Sequence, residues 1–265
     1  MELNNENKTL FIPLYGKALM SKENLFIKDL KAEQIINEID CSSLKQNKYL
    51  SMYLAIRAKI LDDLCSKFIA ENSNAVIIHL GCGLDSRVLR VNQNYAHWYD
   101  IDFPGVISLR NRFFDNSDKY TMIGSKVEEI EWLDNIQSEE NALVIAEGLT
   151  MYLSEKEMQK VLSMIENKFR KSTIIFDAYS KNAAMLSKIK NPVNQMKATV
   201  KWGMDDETDV LALNQNIRFI GEYLIKPKEE ELERLEKMER YLFENLYCGK
   251  VSESLYKIYE FKFNN

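Results

Sequence analysis

The sequence predicts an α/β fold: a mostly parallel, seven-stranded sheet with an antiparallel C-terminal strand, a helical N-terminal extension and an insertion in the C-terminal half. Three observations predict it. Short apolar, β-branched runs alternate with helical patterns along the whole chain. The first of those runs ends in a glycine-containing turn, Gly81-Cys82-Gly83-Leu84-Asp85. The 265 residues include only 9 glycines and 4 prolines, so no flexible linker divides them. With 46% hydrophobic residues, the chain can bury one sizeable core. Residues 1–265 are therefore expected to form one domain, with a helical cap over 1–72, a core over 73–180, and the insertion and last strands over 181–265.

The first seventy residues read as helical. Leu25-Phe26 with Ile35, Ile36 and Ile39 fit one amphipathic helix. Tyr49 to Phe68 fit a longer one, with Tyr53, Ile56, Ile60, Leu61 and Leu64 on a shared face. The period then shortens. Ala75 to Leu80 has the pattern of a strand buried on both faces. His97 to Ile101, Tyr120 to Ile123, Ala142 to Ala146 and Thr173 to Phe176 follow as further strands. Between the last two lies a helix, Ser154 to Phe169, opened by a Ser154/Glu157 capping box. Asn191-Pro192 breaks the chain before a mixed segment, Val193 to Leu213, containing Trp202 and Asp205-Asp206-Glu207. Ile217 to Ile225 and Ser254 to Phe263 alternate like strands. Between these, Pro227 opens a charged helix, Lys228 to Leu242, with Glu229-Glu230-Glu231 at the positive end of its dipole.

Composition excludes several classes. A formal charge of -5 gives no general attraction to nucleic acid or anionic membrane. Cys41, Cys65, Cys82 and Cys248 form no CxxC pair, and His79 and His97 are the sole imidazoles. Neither a metal site nor a disulfide framework is expected, only reduced thiols. The opening MELNNENKTL lacks a signal-peptide core, and no apolar run approaches membrane-spanning length, so a cytoplasmic protein is expected.

The chemistry begins at the glycine turn. Gly81 and Gly83 permit positive φ and close approach by a ligand, although many α/β turns contain such glycines. The second strand adds the decisive companion: it runs out through Tyr99-Asp100-Ile101-Asp102, about 20 residues later, where nucleotide-binding sheets hold ribose hydroxyls on an acid. A dinucleotide fingerprint requires a third glycine, and Ser86 stands there, preceded by Asp85. An acid repels a pyrophosphate but suits the cationic amino acid end of S-adenosylmethionine. The turn therefore favours the methyl donor over NAD.

Four stretches then resemble the leucine carboxyl methyltransferase family, which includes tetracenomycin-type polyketide O-methyltransferases. They are Tyr53-Leu-Ala-Ile-Arg57 followed by Asp62-Asp63; Leu80-Gly-Cys-Gly-Leu-Asp-Ser-Arg87; Trp98-Tyr-Asp-Ile-Asp-Phe-Pro104; and Ile145-Ala-Glu-Gly-Leu-Thr-Met-Tyr-Leu153. The resemblance spans roughly Lys17 to Asp177 and implies a Rossmann-like class I methyltransferase fold. By position it implies Arg57, with Lys17, for the donor's carboxylate, and Gly81, Gly83 and Asp85 along the donor. It also implies Asp102 for the ribose and Glu147 beside the amino acid portion, where it would meet the ammonium or position what approaches the sulfonium methyl; Glu147 and Tyr152 are the candidate catalytic residues. Tyr152 would border the acceptor or sit in the core. Where relatives carry an Asp-Leu pair, this chain has Ser125-Lys126-Val127-Glu128-Glu129, so Val127 is assigned to the adenine face and Ser125 or Glu129 to its amino group. His79 reads as a core histidine.

These readings imply O-methylation of a small-molecule hydroxyl or carboxyl group, with S-adenosylmethionine as cofactor and no metal. A protein C-terminal carboxyl acceptor, a non-catalytic binder of the donor and an NAD-linked oxidoreductase are the competing functions.

Overall fold

In the computed structural model, which describes residues 8–39, 46–91, 93–137, 141–187 and 199–263, every side chain of Val76–Leu80 (β1) is buried. That burial follows from its position: β1 pairs in parallel with His97–Asp102 (β2) on one side and Asn141–Ala146 (β4) on the other. Tyr120–Gly124 (β3) lies outside β2 and Lys171–Tyr179 (β5) outside β4, both parallel. Tyr256–Phe263 (β7) runs antiparallel to β5, and Ile217–Leu224 (β6) antiparallel to β7. The order is β3-β2-β1-β4-β5-β7-β6, the seven-stranded arrangement anticipated from sequence. Chain direction across the sheet reverses between β1 and β4, and open α/β sheets bind ligands in the crevice outside the strand ends at such a point. Register brings the candidate residues there. Leu80 lies opposite both Ile101 and Ala146, and Ala146 opposite Phe176, so Gly81, Asp102, Glu147 and Asp177 emerge side by side.

The helices cover the sheet and carry side chains to that crevice. Lys8–Lys22 (α1), Leu30–Glu38 (α2) and Lys48–Glu71 (α3) form the N-terminal cap, and α1 packs on both of the others. α1 is absent from the sequence reading, and Leu25-Phe26 belongs to no helix. Asn24 and Phe26 take φ of 55° and 59° in the α1–α2 turn, which inserts Leu25 and Phe26 into the core. Asp29 then caps α2 through Ala32 N, 2.9 Å away. α3 is buried on every side from Ser51 to Ala58, rather than on one stripe, because the cap encloses it.

After the glycine turn only one helical turn forms, Arg87–Arg90 (α4), followed downstream by Pro104–Arg110 (α5). Glu155–Lys168 (α6) begins with the expected capping box, Ser154 N donating to Glu157 at 2.6 Å and Glu157 N to Ser154 at 3.3 Å. Lys181–Ser187 (α7) follows β5 and Thr208–Leu211 (α8) precedes β6. The charged helix expected over 228–242 is split into Glu229–Leu232 (α9) and Lys237–Tyr247 (α10), and Leu232 and Leu235 are both in the core. Lys250–Leu255 (α11) takes up the start of the segment read as the last strand. Cys41, the Asn191-Pro192 break and residues 193–198 lie outside the described residues. The rest of that segment packs inward: Lys201 N donates to Met151 O at 2.7 Å, and a side chain at Gly203 would meet Tyr179 O at 2.8 Å. Among the described residues, no helix is long and apolar enough to cross a membrane, and no cluster of His, Cys, Asp and Glu could hold a metal ion.

Candidate functional site

The glycine turn is folded against the end of β2. Gly81 and Gly83 have φ of 63° and 52°, in the left-handed region that favours glycine. A Cβ on Gly81 would sit 3.0 Å from Leu149, and one on Gly83 3.3 Å from Leu10. Gly83 N donates to Asp102 Oδ2 at 2.8 Å and Phe103 N to Oδ1 at 2.7 Å. Burial raises the Asp102 pKa against the lowering effect of these amides. Each carboxylate oxygen keeps a further lone pair, so the fixed group can still accept from a vicinal diol.

The cap supplies the opposite side with cations. Lys17 and Arg57 are 2% and 5% exposed despite their charge, a burial that requires partners. Lys17 Nζ lies 2.8 Å from Asp85 Oδ1. Arg57 donates from Nε and Nη2 to Glu147 Oε1, at 3.2 and 2.8 Å, and from Nη1 to the Tyr256 hydroxyl at 2.7 Å. Glu147 Oε2 is held by Arg87, whose Nε reaches Asp62 at 2.7 Å. Arg90 ties Asp62, Asp85 and Asp29 together at 2.7, 2.9 and 2.6 Å. Burial opposes ionisation of Glu147, but Arg57, then Arg87 and Lys17, outweigh it and hold its pKa at about 2. Asp85 is likewise held well below its ordinary range, burial being outweighed by Arg87, Arg90 and Lys17. At Asp177 burial wins instead, and its pKa is raised despite Arg57.

This arrangement sets what Glu147 can do. A carboxylate clamped by two guanidiniums is a poor proton acceptor and a good fixed anion. Tyr152, at the end of the 3₁₀ turn Thr150–Tyr152, is half-buried, and burial pushes its pKa up to about 12. It belongs to an aromatic group with Tyr53, Tyr179, Tyr247 and Tyr256: Tyr53 stands 4.9 Å from Tyr247, and Tyr179 4.5 Å from Tyr256, between ring centroids. The Arg57 guanidinium carbon lies 5.8 Å from the Tyr256 ring centroid, which places this group beside the arginine.

At the β2–β3 end lies a cavity of about 430 Å³, bordered by Phe103, Ile123, Ser125, Lys126 and Glu129 among others. Ser125 and Glu129, assigned to the adenine's amino group from sequence, both border this cavity, and Val127 is not among the residues lining it. That valine is 6% exposed and packs in the core with Trp132, whose Nε1 donates to Val127 O at 3.1 Å, because the 3₁₀ helix Ile130–Asn135 folds Trp132 beneath the loop. His79 is a core residue, its Nε2 3.3 Å from Arg87 and its Nδ1 3.4 Å from Asp100.

Sequence reasoning missed Phe103, Arg87, Arg90, Asp29, Asp177 and Tyr256. Phe103, 56% exposed at the cavity lip, follows Asp102 directly and was signalled by that position. Arg87 and Asp62 stood inside recognised stretches, but nothing in the sequence links Tyr256 to Arg57, 199 positions away.

A sequence profile of the leucine carboxyl methyltransferase family matches residues 2–166. The tetracenomycin polyketide synthesis O-methyltransferase TcmP of Streptomyces glaucescens is 31% identical, over 83% of each chain. An S-adenosyl-L-methionine-dependent methyltransferase of Gibberella zeae, dpfgK, is 30% identical over 78% of each. Among solved structures, the fold resembles an S-adenosylmethionine-dependent methyltransferase from Anabaena variabilis, with a TM-score of 0.54 at 10% identity, covering 78% of this chain and 85% of that one. A methyltransferase from Clostridium acetobutylicum aligns at a TM-score of 0.51 and 11% identity, over 89% and 98%. The chain has the class I methyltransferase fold, is an S-adenosylmethionine-dependent methyltransferase, and belongs to the leucine carboxyl methyltransferase family.

Proposed function

We propose that this protein methylates a carboxyl or acidic hydroxyl oxygen of a small molecule, with S-adenosylmethionine lying across the reversal point of the sheet. The observation that carries the reading is the placement of Asp102 and Arg57 on opposite sides of the Gly81–Gly83 turn. Asp102, fixed by two amides, takes the ribose hydroxyls. Arg57, with Lys17 nearby, takes the donor's carboxylate, while Glu147 and Asp85 face its ammonium. Ser125 and Glu129 serve the adenine in the cavity, against Phe103. When bound, the donor supplies a methyl group already activated by its sulfonium, so the reading invokes no metal.

The protein's part is alignment and exclusion of water. Glu147, held at about 2, positions the donor rather than taking a proton. A carboxylate acceptor needs no base, and an acidic phenol ionises readily enough to need little help. Tyr152 and Tyr179 border the acceptor side, as does the segment over 199–213. The cap, core and C-terminal strands act as one methyltransferase domain with no nucleic acid or membrane partner. The relation to TcmP, named for a polyketide O-methyltransferase, supports a small acceptor over a protein C-terminus.

The test is transfer of labelled methyl from S-adenosylmethionine to a panel of aryl and alkyl carboxylic acids, phenols and a peptide with a free C-terminus. Labelling of a small carboxylic acid or phenol supports the reading, and labelling of the peptide alone shifts it to a protein acceptor. Donor binding without transfer to any member favours a non-catalytic sensor.

A further inference from the structure

Two residues beyond the stretch matched by the family, Asp177 and Tyr256, stand behind the arginine assigned to the donor's carboxylate. Asp177, fully buried, accepts from Gly148 N at 2.7 Å through Oδ1 and from the Tyr256 hydroxyl at 2.5 Å through Oδ2. The antiparallel pairing of β5 and β7 sets Tyr179 opposite Tyr256 and Asp177 opposite Ile258, which brings the phenol to this carboxylate. The same phenol oxygen accepts from Arg57 Nη1 at 2.7 Å. Burial keeps the phenol's pKa well above its ordinary value, so it stays a neutral O–H donor to Asp177.

A guanidinium has five N–H groups. Glu147 takes one from Nε and one from Nη2, and Tyr256 one from Nη1. One N–H then remains on each terminal nitrogen, the end-on fork that matches a carboxylate. A Cβ on Gly148 would stand 3.5 Å from Nη1 and 3.6 Å from Nη2, and glycine, with φ of 65°, leaves that space clear. Asp177 Oδ2 is already ion-paired with Nη1 at 3.1 Å, so without the hydroxyl the carboxylate is free to draw the arginine towards itself.

We propose that Tyr256 and Asp177 are a positioning pair that holds Arg57 with its outer fork open to the donor's carboxylate. The pair rests on the donor reading given above. It also ties the last strand of the sheet to the donor site and fixes Gly148 in the same stroke, through one carboxylate.

The test is Tyr256→Phe, with titration by S-adenosylhomocysteine and by 5′-methylthioadenosine, which keeps the adenosine and thioether but lacks the amino acid. Expected is a roughly tenfold weaker S-adenosylhomocysteine affinity with methylthioadenosine affinity unchanged. Asp177→Asn, checked for folding by thermal melting, should give the same selective loss if the phenylalanine variant does not fold. In an Arg57→Ala background, Tyr256→Phe should add nothing further. Unchanged S-adenosylhomocysteine affinity, an equal loss for both ligands, or a penalty that persists without Arg57 would overturn the proposal. Failure of the unsubstituted protein to bind either ligand would overturn the donor reading itself, and the proposal with it.

Discussion

At the β2–β3 end of the crevice, one carboxylate, Asp102, is held by two backbone amides and adjoins an open cavity. At the β4–β5 end, Lys17, Arg57, Asp85, Arg87, Glu147 and Asp177 are all buried and almost wholly paired with one another. The first half is built by local backbone geometry, the second by side chains imported from separate elements. Charge explains the contrast. A nucleoside offers neutral hydroxyls and a flat base, which need directional acceptors and a slot, whereas an amino acid carries both charges and needs both signs in fixed places. The two halves should therefore respond differently to substitution.

The largest effect is expected at Arg57. Its removal leaves Glu147 with Arg87 as its remaining ion-pair partner and Asp177 with hydrogen bonds but no arginine, so Arg57→Ala should cost about 3–5 kcal/mol of stability, read from denaturant unfolding. It should also weaken S-adenosylhomocysteine binding by more than any other single substitution, to an affinity still measurable by calorimetry. Next in size is an acid limb set by Glu147. Its folded pKa of about 2 lies below the ordinary 4.5, so its contribution is present above pH 4.5 and disappears as pH falls toward 2. That window is worth about 3 kcal/mol at 1.36 kcal/mol per unit, and Glu147→Gln should flatten that stretch of the stability curve. Asp102 has the opposite sign. Its folded pKa is raised above 3.8, so its contribution declines as pH rises through that window.

The contrast also governs what could be read from sequence. The strands and the Ser154 cap were legible because they depend on local periodicity and capping chemistry. Gly81, Gly83 and Asp102 were legible because the turn and the strand end lie close in sequence and fix each other through one hydrogen bond. In the charged half Arg57, Lys17, Asp85 and Glu147 were legible through the family resemblance, but the partners that hold them were not. Arg90 and Asp29 are 61 residues apart and Arg57 and Tyr256 are 199 apart, and neither separation leaves any periodic trace. The packing of Val127 against Trp132 was not legible either, because it depends on the 3₁₀ helix that folds Trp132 beneath the loop. The charged helix is interrupted between Leu232 and Lys237, an interruption that the i,i+3 pair Leu232 and Leu235, both in the core, did not signal.

Smaller effects sharpen the division. Asp102→Ala should weaken S-adenosylhomocysteine and methylthioadenosine alike, by about 1–3 kcal/mol for the lost hydrogen bonds, measured calorimetrically. Phe103→Ala should act in the same nucleoside-wide manner but more weakly, about 0.5–1.5 kcal/mol for lost ring stacking. The melting temperature should hardly move, because the side chain is already 56% exposed. A loss confined to S-adenosylhomocysteine in either variant would erase the distinction between the halves.

The most direct test of the central claim is calorimetric titration of the unsubstituted protein with S-adenosylhomocysteine and, separately, with NAD. Expected is one S-adenosylhomocysteine site per chain, strongly weakened on Arg57→Ala and weakened on Asp102→Ala, with no NAD binding. Saturable NAD binding without S-adenosylhomocysteine binding would contradict it.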